Sequence, residues 1–401
     1  MGRLARVERY PLFYVTATVT RLADEMFSVG AVLLVLERTG SAVVAGLVVA
    51  ATALPSLVTG PLLGAWLDIS GKRRRLMLLD QVLVVIMLVT LVLAAGNVPD
   101  WTLPLVALIA GVTWPLSFGG FSSLVPILVP GELLPEANSM EAASYDIAII
   151  GGPALAGTLV ALFSPEVSLI TQAGISLVGF GLIASIPALD RTADSGRALR
   201  ETVVGGLRAL FFTPQLRSAT AIGTLSLAGL GLLTVAFPFF AIESLGENRG
   251  VAGYLWAAFS TGSIIGSIGL VSLLHRFRPE RIMLVATGLS GVAMLLWPLA
   301  SVLPLALAFI AVSGLCDGPG LAATFSTRQQ YTPRELYGQV STTGVAFKVS
   351  AFAMGAAVAG PVVVALGPEG AIWVCAGMQF LAVGVGALLA RDFSARRAAA
   401  A

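Results

Sequence analysis

Twelve apolar stretches, each about 20 to 28 residues long, run through almost the whole of this 401-residue chain, and basic residues fill every other gap between them. The stretches cover 12–36, 42–67, 75–96, 102–128, 137–163 and 167–188, then 216–242, 251–275, 281–301, 304–328, 339–366 and 370–390. About 20 consecutive apolar residues, each rising 1.5 Å, cross a hydrocarbon core of roughly 30 Å as a helix. With 57% hydrophobic and 11% charged residues and a mean hydropathy of +0.91, the chain has too little polar surface to coat a soluble globule. The expected fold is an all-α polytopic membrane protein with twelve transmembrane helices.

The distribution of Lys and Arg sets the expected orientation, because cytoplasmic loops carry the excess of positive charge. With the N-terminus inside, the cytoplasmic segments hold 20 of the 24 basic residues; only Arg38 and Arg249 fall outside, and Arg21 and Lys348 lie within the membrane. Both termini are therefore expected in the cytoplasm, and the net charge of +2 reflects topology rather than nucleic-acid binding. The first stretch is too long and too charged for a cleavable signal peptide and is expected to act as a retained anchor. Cys316 and Cys375 both fall in apolar helices, where a disulfide framework is not expected.

The longest polar gap divides the chain into an N-terminal six-helix half (1–188), a cytoplasmic linker (189–215) and a C-terminal six-helix half (216–401). Within the linker, Leu199, Val203, Leu207, Leu210 and Phe211 recur at spacings of three and four, opposite Arg197, Arg200, Glu201 and Arg208. That pattern predicts a short amphipathic helix on the membrane surface. The halves are weakly alike. An offset of 203 lays Gly111, Pro130, Glu132, Leu133, Gly152 and Gly157 onto Gly314, Pro333, Glu335, Leu336, Gly355 and Gly360. Parallel six-helix repeats of this kind suit alternating access around a central site.

The turn after the second stretch reads Gly60-Pro-Leu-Leu-Gly64-Ala-Trp-Leu-Asp68-Ile-Ser-Gly71-Lys72-Arg73-Arg74-Arg75. Gly60 and Gly64 form a small face that admits another helix, and Asp68 is placed to accept from backbone N–H groups at a facing helix N-terminus. Gly71 permits a tight turn, and the bases suit the anionic inner leaflet. The stretch resembles the signature loop of the major facilitator superfamily, G-x-L-x-D-x-x-G-[RK]-[RK]. Gly64, Asp68, Gly71, Lys72 and Arg73 match it, whereas Trp66 replaces the usual Leu and Ile69 the frequent Arg. The resemblance implies a conformational latch in which Asp68 meets the start of the eleventh helix; in the second half Leu274 stands opposite Asp68, so the latch is one-sided. In the fifth stretch Gly152, Pro153 and Gly157 are similar to the G-P-x-x-G-G element of the family's antiporters, with Ala156 replacing one glycine. Pro153 is expected to bend that helix. The run from Ala50 to Arg75 looks most like bacterial drug-efflux members.

Arg21, Asp24 and Glu25 lie in the first stretch. Facing lipid, three such charges would cost on the order of 9 kcal/mol, so they must face protein or a watery cavity. Arg21 reaches Asp24 and Glu25 at helical spacing but neutralises one acid only. A carboxylate removed from water binds a proton more readily, which is what a coupling site needs; the alternative is a structural ion pair between helices. Asp317, set among Gly and Pro in the tenth stretch, is the other candidate for proton coupling, or else a helix cap. The resemblance implies that the first, fourth, seventh and tenth helices line the cavity. Trp114, Phe118, Phe121, Phe237 and Phe240 then become candidate walls for an amphipathic or cationic compound. Asp146 and Lys348 occupy nearly equivalent positions in the two halves, and His275 reads as interfacial.

No phosphate-cradling motif, metal-ligand spacing or nucleophile–base pattern is present, so the chain is not expected to be an enzyme, to hold a metal or to need a cofactor. The expected function is secondary active transport, as proton-coupled efflux of a small amphipathic or drug-like compound from a bacterial cell, by a monomer in the plasma membrane. The partners are then a small-molecule substrate, protons and the lipid bilayer. A proton symporter importing a nutrient and a non-transporting receptor or scaffold are the alternatives; intramembrane charges in a repeated architecture argue against the scaffold. Cysteine-accessibility labelling is expected to find 97–100 and 246–250 open only from outside and 189–214 only from inside. Termini labelled from outside would overturn the orientation.

Overall fold

The computed structural model describes residues 3–53, 55–186, 199–247 and 251–390, and these contain helices and turns with no strand among them. Part of the linker, with Arg191 and Arg197, and also Arg249, Arg391, Arg396 and Arg397 lie outside the described residues. The helices are α1 (Tyr10–Thr39), α2 (Ala42–Ala53), α3 (Ser56–Ser70), α4 (Arg73–Ala94), α5 (Thr102–Gly111), α6 (Val125–Leu128), α7 (Leu134–Leu162) and α8 (Pro165–Ser185). They continue with α9 (Leu199–Phe212), α10 (Pro214–Glu243), α11 (Val251–Gly269), α12 (Ser272–Arg276), α13 (Pro279–Met294), α14 (Leu303–Tyr331) and α15 (Tyr337–Leu389). Among the described residues, ten segments are long and apolar enough to cross a membrane. Beside them stands α1, 30 residues long and carrying Arg21, Asp24 and Glu25. The 53-residue α15 is interrupted at Gly367, whose φ of 73° and ψ of 172° no helix permits.

The chain forms two compact units. One comprises Met1–Ala137, Ser144–Val204 and Glu335–Ala346; the other comprises Asn138–Ala143, Gly205–Arg334 and Phe347–Ala401. In the first, Leu34 of α1, Leu88 and Leu91 of α4, Leu103 and Ala107 of α5 and Leu169 of α8 are fully buried together. In the second, Phe237 and Phe240 of α10, Leu255 of α11, Ile310 of α14 and Ile372 of α15 gather around Trp297. Trp297 is fully buried because its one polar atom is satisfied: Nε1 donates to Ser313 Oγ at 2.8 Å.

Small residues set the closest approach in the second unit. Gly262 and Gly266 on α11 and Gly314 and Gly318 on α14 repeat every four residues, and a Cβ on any of them would strike backbone of the opposite helix. Apolar helices gain nothing from lipid exclusion that lipid does not also offer, so such contact depends on dispersion between closely apposed backbones. The amphipathic helix expected in the linker is present as α9, although its packed stripe is Thr202, Gly206 and Leu210, with Leu199, Phe211 and Phe212 exposed. Gly314→Val is expected to lower the melting temperature of the detergent-purified protein, with a destabilisation of about 1–3 kcal/mol from overpacking. An unchanged melt would show that α11 and α14 tolerate separation.

Candidate functional site

Pro115 and the Gly119-Gly120 pair prevent a regular helix from running on past α5. In its place come a turn at 112–114 and a π-helical segment, Leu116–Gly120. A π turn releases carbonyls from the usual pairing, and in a membrane these must find partners within the protein. Arg21 supplies them. Its Nε donates to Ser117 O and its Nη2 to Phe118 O, both at 3.3 Å, while Nη1 donates to Ser144 Oγ at 2.8 Å. The guanidinium lies 4.3 Å from the Tyr145 ring centroid and 5.9 Å from those of Phe118 and Phe121, and the residue is fully buried. Neither Asp24 nor Glu25 is among these hydrogen-bond partners, although the charge of Arg21 still acts on Asp24.

Asp24 faces a different neighbourhood. It is 8% exposed and lies within electrostatic reach of Asp80 on α4, which is 1% exposed. Asp80 Oδ2 accepts from Ser117 Oγ at 2.8 Å and from Gln81 Nε2 at 3.1 Å. Two carboxylates on different helices, with Ser117 facing both, thus form a buried acidic pair. Glu25 is half-buried and its charge also reaches Asp24. Gly152 on α7 has no room for a side chain, since a Cβ there would lie 2.8 Å from the Glu25 carbonyl carbon and 2.9 Å from Leu22 O. That glycine brings α7 against α1 at Glu25. Pro153 sits inside a continuous α7, and Gly157 has nothing within 4 Å of its Cβ position, so it makes no such approach.

The turn between α3 and α4 binds the first turn of α15. Asp68 Oδ1 accepts from Gly338 N at 2.9 Å and Oδ2 from Gln339 N at 2.8 Å, both backbone groups at a helix N-terminus where donors lack intrahelical acceptors. Arg73 Nη2 donates to the same Oδ1 at 2.8 Å, and the two side chains are 1% and 4% exposed. Thr342 Oγ1 donates to Gly60 O at 2.6 Å. A Cβ on Gly64 would lie 2.7 Å from Gly338 O, so glycine is required for the approach. Gly71 ends α3 in the left-handed conformation at φ 62°. The basic run divides by role: Lys72 and Arg75 are exposed, Arg74 Nη1 donates to Ile186 O at 3.2 Å, and Arg73 is buried on Asp68. Two of the four bases expected at the lipid surface are thus held by protein acceptors.

In the second unit Asp317 on α14 and Lys348 on α15 are half-buried and lie within electrostatic reach of each other. The candidate aromatic walls separate. Trp114 is half-buried, its ring 5.0 Å from that of Phe118. Phe118 and Phe121 are buried around Arg21. Phe237 and Phe240 are fully buried; Phe237 packs 5.1 Å from Trp256 and 5.7 Å from Trp297. These two rings fill the core and are not available as a ligand wall, because packing satisfies an aromatic ring better than an open face.

Asp80, Gln81 and Ser117 were not among the residues expected from sequence. Asp80 lies only five residues into the third stretch and reads there as a boundary charge. A usable signal was present in the spacing of four that separates Thr16, Thr20 and Asp24 in the first stretch and Ser168, Gln172 and Ser176 in the sixth. In helices otherwise apolar, that spacing marks one polar stripe.

Many apolar helices enclosing buried acids and a bound arginine define a multi-pass membrane protein of transporter architecture. Residues 13–343 match the sequence profile of the Major Facilitator Superfamily, and the chain belongs to that family, whose members are transporters. It is 30% identical over 356 residues, 86% of each chain, to the MFS-type transporter y4rN of Sinorhizobium fredii. It is 29% identical over 347 residues to the multidrug efflux pump Tap of Mycolicibacterium fortuitum, covering 83% of this chain and 84% of Tap. The human organic anion transporter MFSD10 shares the fold at a TM-score of 0.77 and 16% identity, over 95% of this chain and 98% of the other. A bacterial homologue of the iron transporter ferroportin shares it at 0.73 and 18%, over 94% and 98%.

Arg21→Lys keeps the charge and loses the fork that holds Ser117 O and Phe118 O. It is expected to destabilise the protein by about 1.5–3 kcal/mol, the range for hydrogen bonds to charged groups, read as a lower melting temperature. A melt like that of the parent would mean that the π segment finds other donors.

Proposed function

We propose that this chain is a secondary active transporter working by alternating access, which exports a small amphipathic or drug-like compound across a bacterial plasma membrane in exchange for protons. The observation that carries this reading is the clasp of Asp68 on Gly338 and Gln339. It joins the turn after the second apolar stretch to the start of the eleventh by two charge-assisted hydrogen bonds. Such bonds hold firmly yet exchange for water without disturbing a core, which suits a latch of Gly64, Asp68, Gly71, Lys72 and Arg73 that opens and closes in each cycle. A scaffold has no use for it.

In this reading the ten long apolar segments, α1, and the division of α15 at Gly367 amount to twelve crossings, with residues 1–188 and 216–401 as halves, 189–215 as linker and both termini inside. The likeness to Tap supports export of drug-like compounds, and the enterobactin exporter EntS of Shigella dysenteriae, 25% identical over 59% of this chain, is also an exporter. Trp114, half-buried beside Phe118, is the proposed aromatic wall. Asp317 is the proposed proton carrier because it is half-buried and has Lys348 as a nearby counter-charge. Asp24 and Glu25, beside Arg21, are the parallel candidates, and Gly152 and Pro153 shape the helix that approaches them.

In vesicles reconstituted with the purified protein and screened against a varied compound panel, Asp317→Asn is expected to abolish uphill, pH-driven accumulation. Downhill exchange should survive, because it needs binding and alternation but no proton. Asp24→Asn and Glu25→Gln are run beside it; full accumulation by all three variants would refute proton coupling through these acids. Asp68→Asn is expected to retain the fold and slow transport roughly tenfold or more, since one charge-assisted bond is lost for about 1.5–3 kcal/mol. Full activity would show that the clasp is only a turn.

A further inference from the structure

Three helices of the first unit meet along faces that carry more acceptor oxygens than donors. Asp24 Oδ2 and Thr20 Oγ1 on α1, Asp80 Oδ1 and Gln81 Oε1 on α4, and Gln172 Oε1 and Ser176 Oγ on α8 are buried and have no hydrogen-bond partner among the described residues. All six residues are at least nine-tenths buried. Leaving one buried polar atom unpaired typically costs about 1–3 kcal/mol, and in native structures such atoms are few and scattered. Six on three packed helices call for a common cause.

The register brings four of them together. A Cβ at Gly179 of α8 would stand 3.1 Å from Thr20 Oγ1 and 3.2 Å from Gln81 Oε1, and a Cβ at Gly30 would stand 3.2 Å from Ser168 Oγ. Helices α1 and α8 therefore run antiparallel, with Thr20 level with Gly179 and Gly30 level with Ser168. Asp24, one turn on from Thr20, is then level with Ser176. Gln81 donates its amide nitrogen to Asp80 Oδ2, and its oxygen faces the same space beside Gly179 as Thr20 Oγ1. Asp80 Oδ2 is saturated by Gln81 and Ser117, and Oδ1 remains open. Asp24 lies within electrostatic reach of Asp80. Two acids side by side repel unless one takes up a proton or a cation lies between or beside them. Arg21 donates to Ser144 and the π-segment carbonyls and reaches Asp24 only through its charge, with no hydrogen bond to the open oxygens of either acid.

The donors are carboxylate, amide and hydroxyl oxygens. No group of three or more His, Cys, Asp or Glu residues suited to a metal ion is gathered among the described residues. A set with two carboxylates completed by neutral oxygens suits a hard cation that accepts mixed oxygen ligands, and it does not suit a metal that seeks imidazole or thiolate. Magnesium, which gives up its water reluctantly, is a poor match for a dry helix interface. We propose that Asp24, Asp80, Gln81 and Thr20 form a binding site for a hard cation, sodium or calcium, where α1, α4 and α8 pack, with Ser117 and Ser176 at its border. The site goes beyond the transport reading: it lies in a different unit from Asp317, and it is observable without any substrate.

The test uses the full chain purified in detergent, exchanged into choline chloride and freed of calcium with a chelator. Melting temperature is measured against added sodium, calcium and magnesium at constant ionic strength, alongside equilibrium binding of radiolabelled sodium and calcium. One of the two ions is expected to raise the melting temperature saturably by about 3 °C or more, with about one ion bound per chain. Which ion does so identifies the ligand. Asp80→Asn should weaken that binding roughly tenfold or more. Gly179→Ala should do likewise with both charges intact, because its Cβ enters the space that Thr20 and Gln81 face. Should Asp80→Asn fail to fold, Gly179→Ala and Thr20→Val carry the test. Equal melts in sodium, calcium and choline with no saturable binding would overturn the proposal, as would undiminished binding by folded variants. Ion binding by a protein that transports nothing would sink the transporter reading and leave this site standing; transport without ion binding would do the reverse.

Discussion

A polar group inside this protein is costly unless something other than bulk water satisfies it, because a membrane interior supplies no water. Arg21 shows how far that requirement reaches. The chain breaks its helix after Gly111, and the break frees the carbonyls of Ser117 and Phe118. The guanidinium that holds them also anchors Ser144 on α7 and stacks on Tyr145. One side chain thereby ties α1, the π segment and α7 together. Asp24, one turn further along α1, lies within reach of that charge and of Asp80 on α4.

Close packing and polar contact are coupled through glycine. Gly152 brings α7 onto the backbone at Glu25, and Gly64 lets the first turn of α15 reach Asp68. In both places a missing side chain decides where a charged one comes to rest. The glycines of α11 and α14 bring backbone against backbone at Phe259, Ser263, Ala311 and Leu315, so the same device also serves helix packing by itself. The two classes of contact differ in reversibility. Interlocked backbones separate only by losing many dispersion contacts together, whereas the hydrogen bonds at Asp68 exchange one for one with water.

Much of this was legible in the chain. The spacing of apolar stretches announced a polytopic helical protein because hydrocarbon thickness fixes how many apolar residues a crossing needs. The turn with Asp68 was legible because an acid, a turn glycine and a basic run at fixed spacing leave little else for the acid to do than to meet a helix N-terminus. For Gly152 and Gly157, sequence shows that a small residue is present and not whether anything approaches it: α1 meets Gly152, and nothing lies within 4 Å of a Cβ at Gly157.

Other features depended on which helix lies beside which. Whether Arg21 pairs with Asp24 on its own helix or with carbonyls elsewhere turns on the energies of partners far apart in sequence, and a local spacing rule sees only the nearer ones. Asp80 looked like a boundary charge until the helices were packed, when it came to face Asp24. Phe237 and Phe240 were as suitable for a cavity wall as Trp114 by residue type, and only packing placed them in the core. The sequence alone determined how many apolar segments there are, where charge can be tolerated and which turn carries a binding acid, because these follow from hydrophobic length and local backbone chemistry. Tertiary structure decided which buried charges meet, because a side chain in a dry interior takes the strongest partner within reach, and reach is set by the packing of helices.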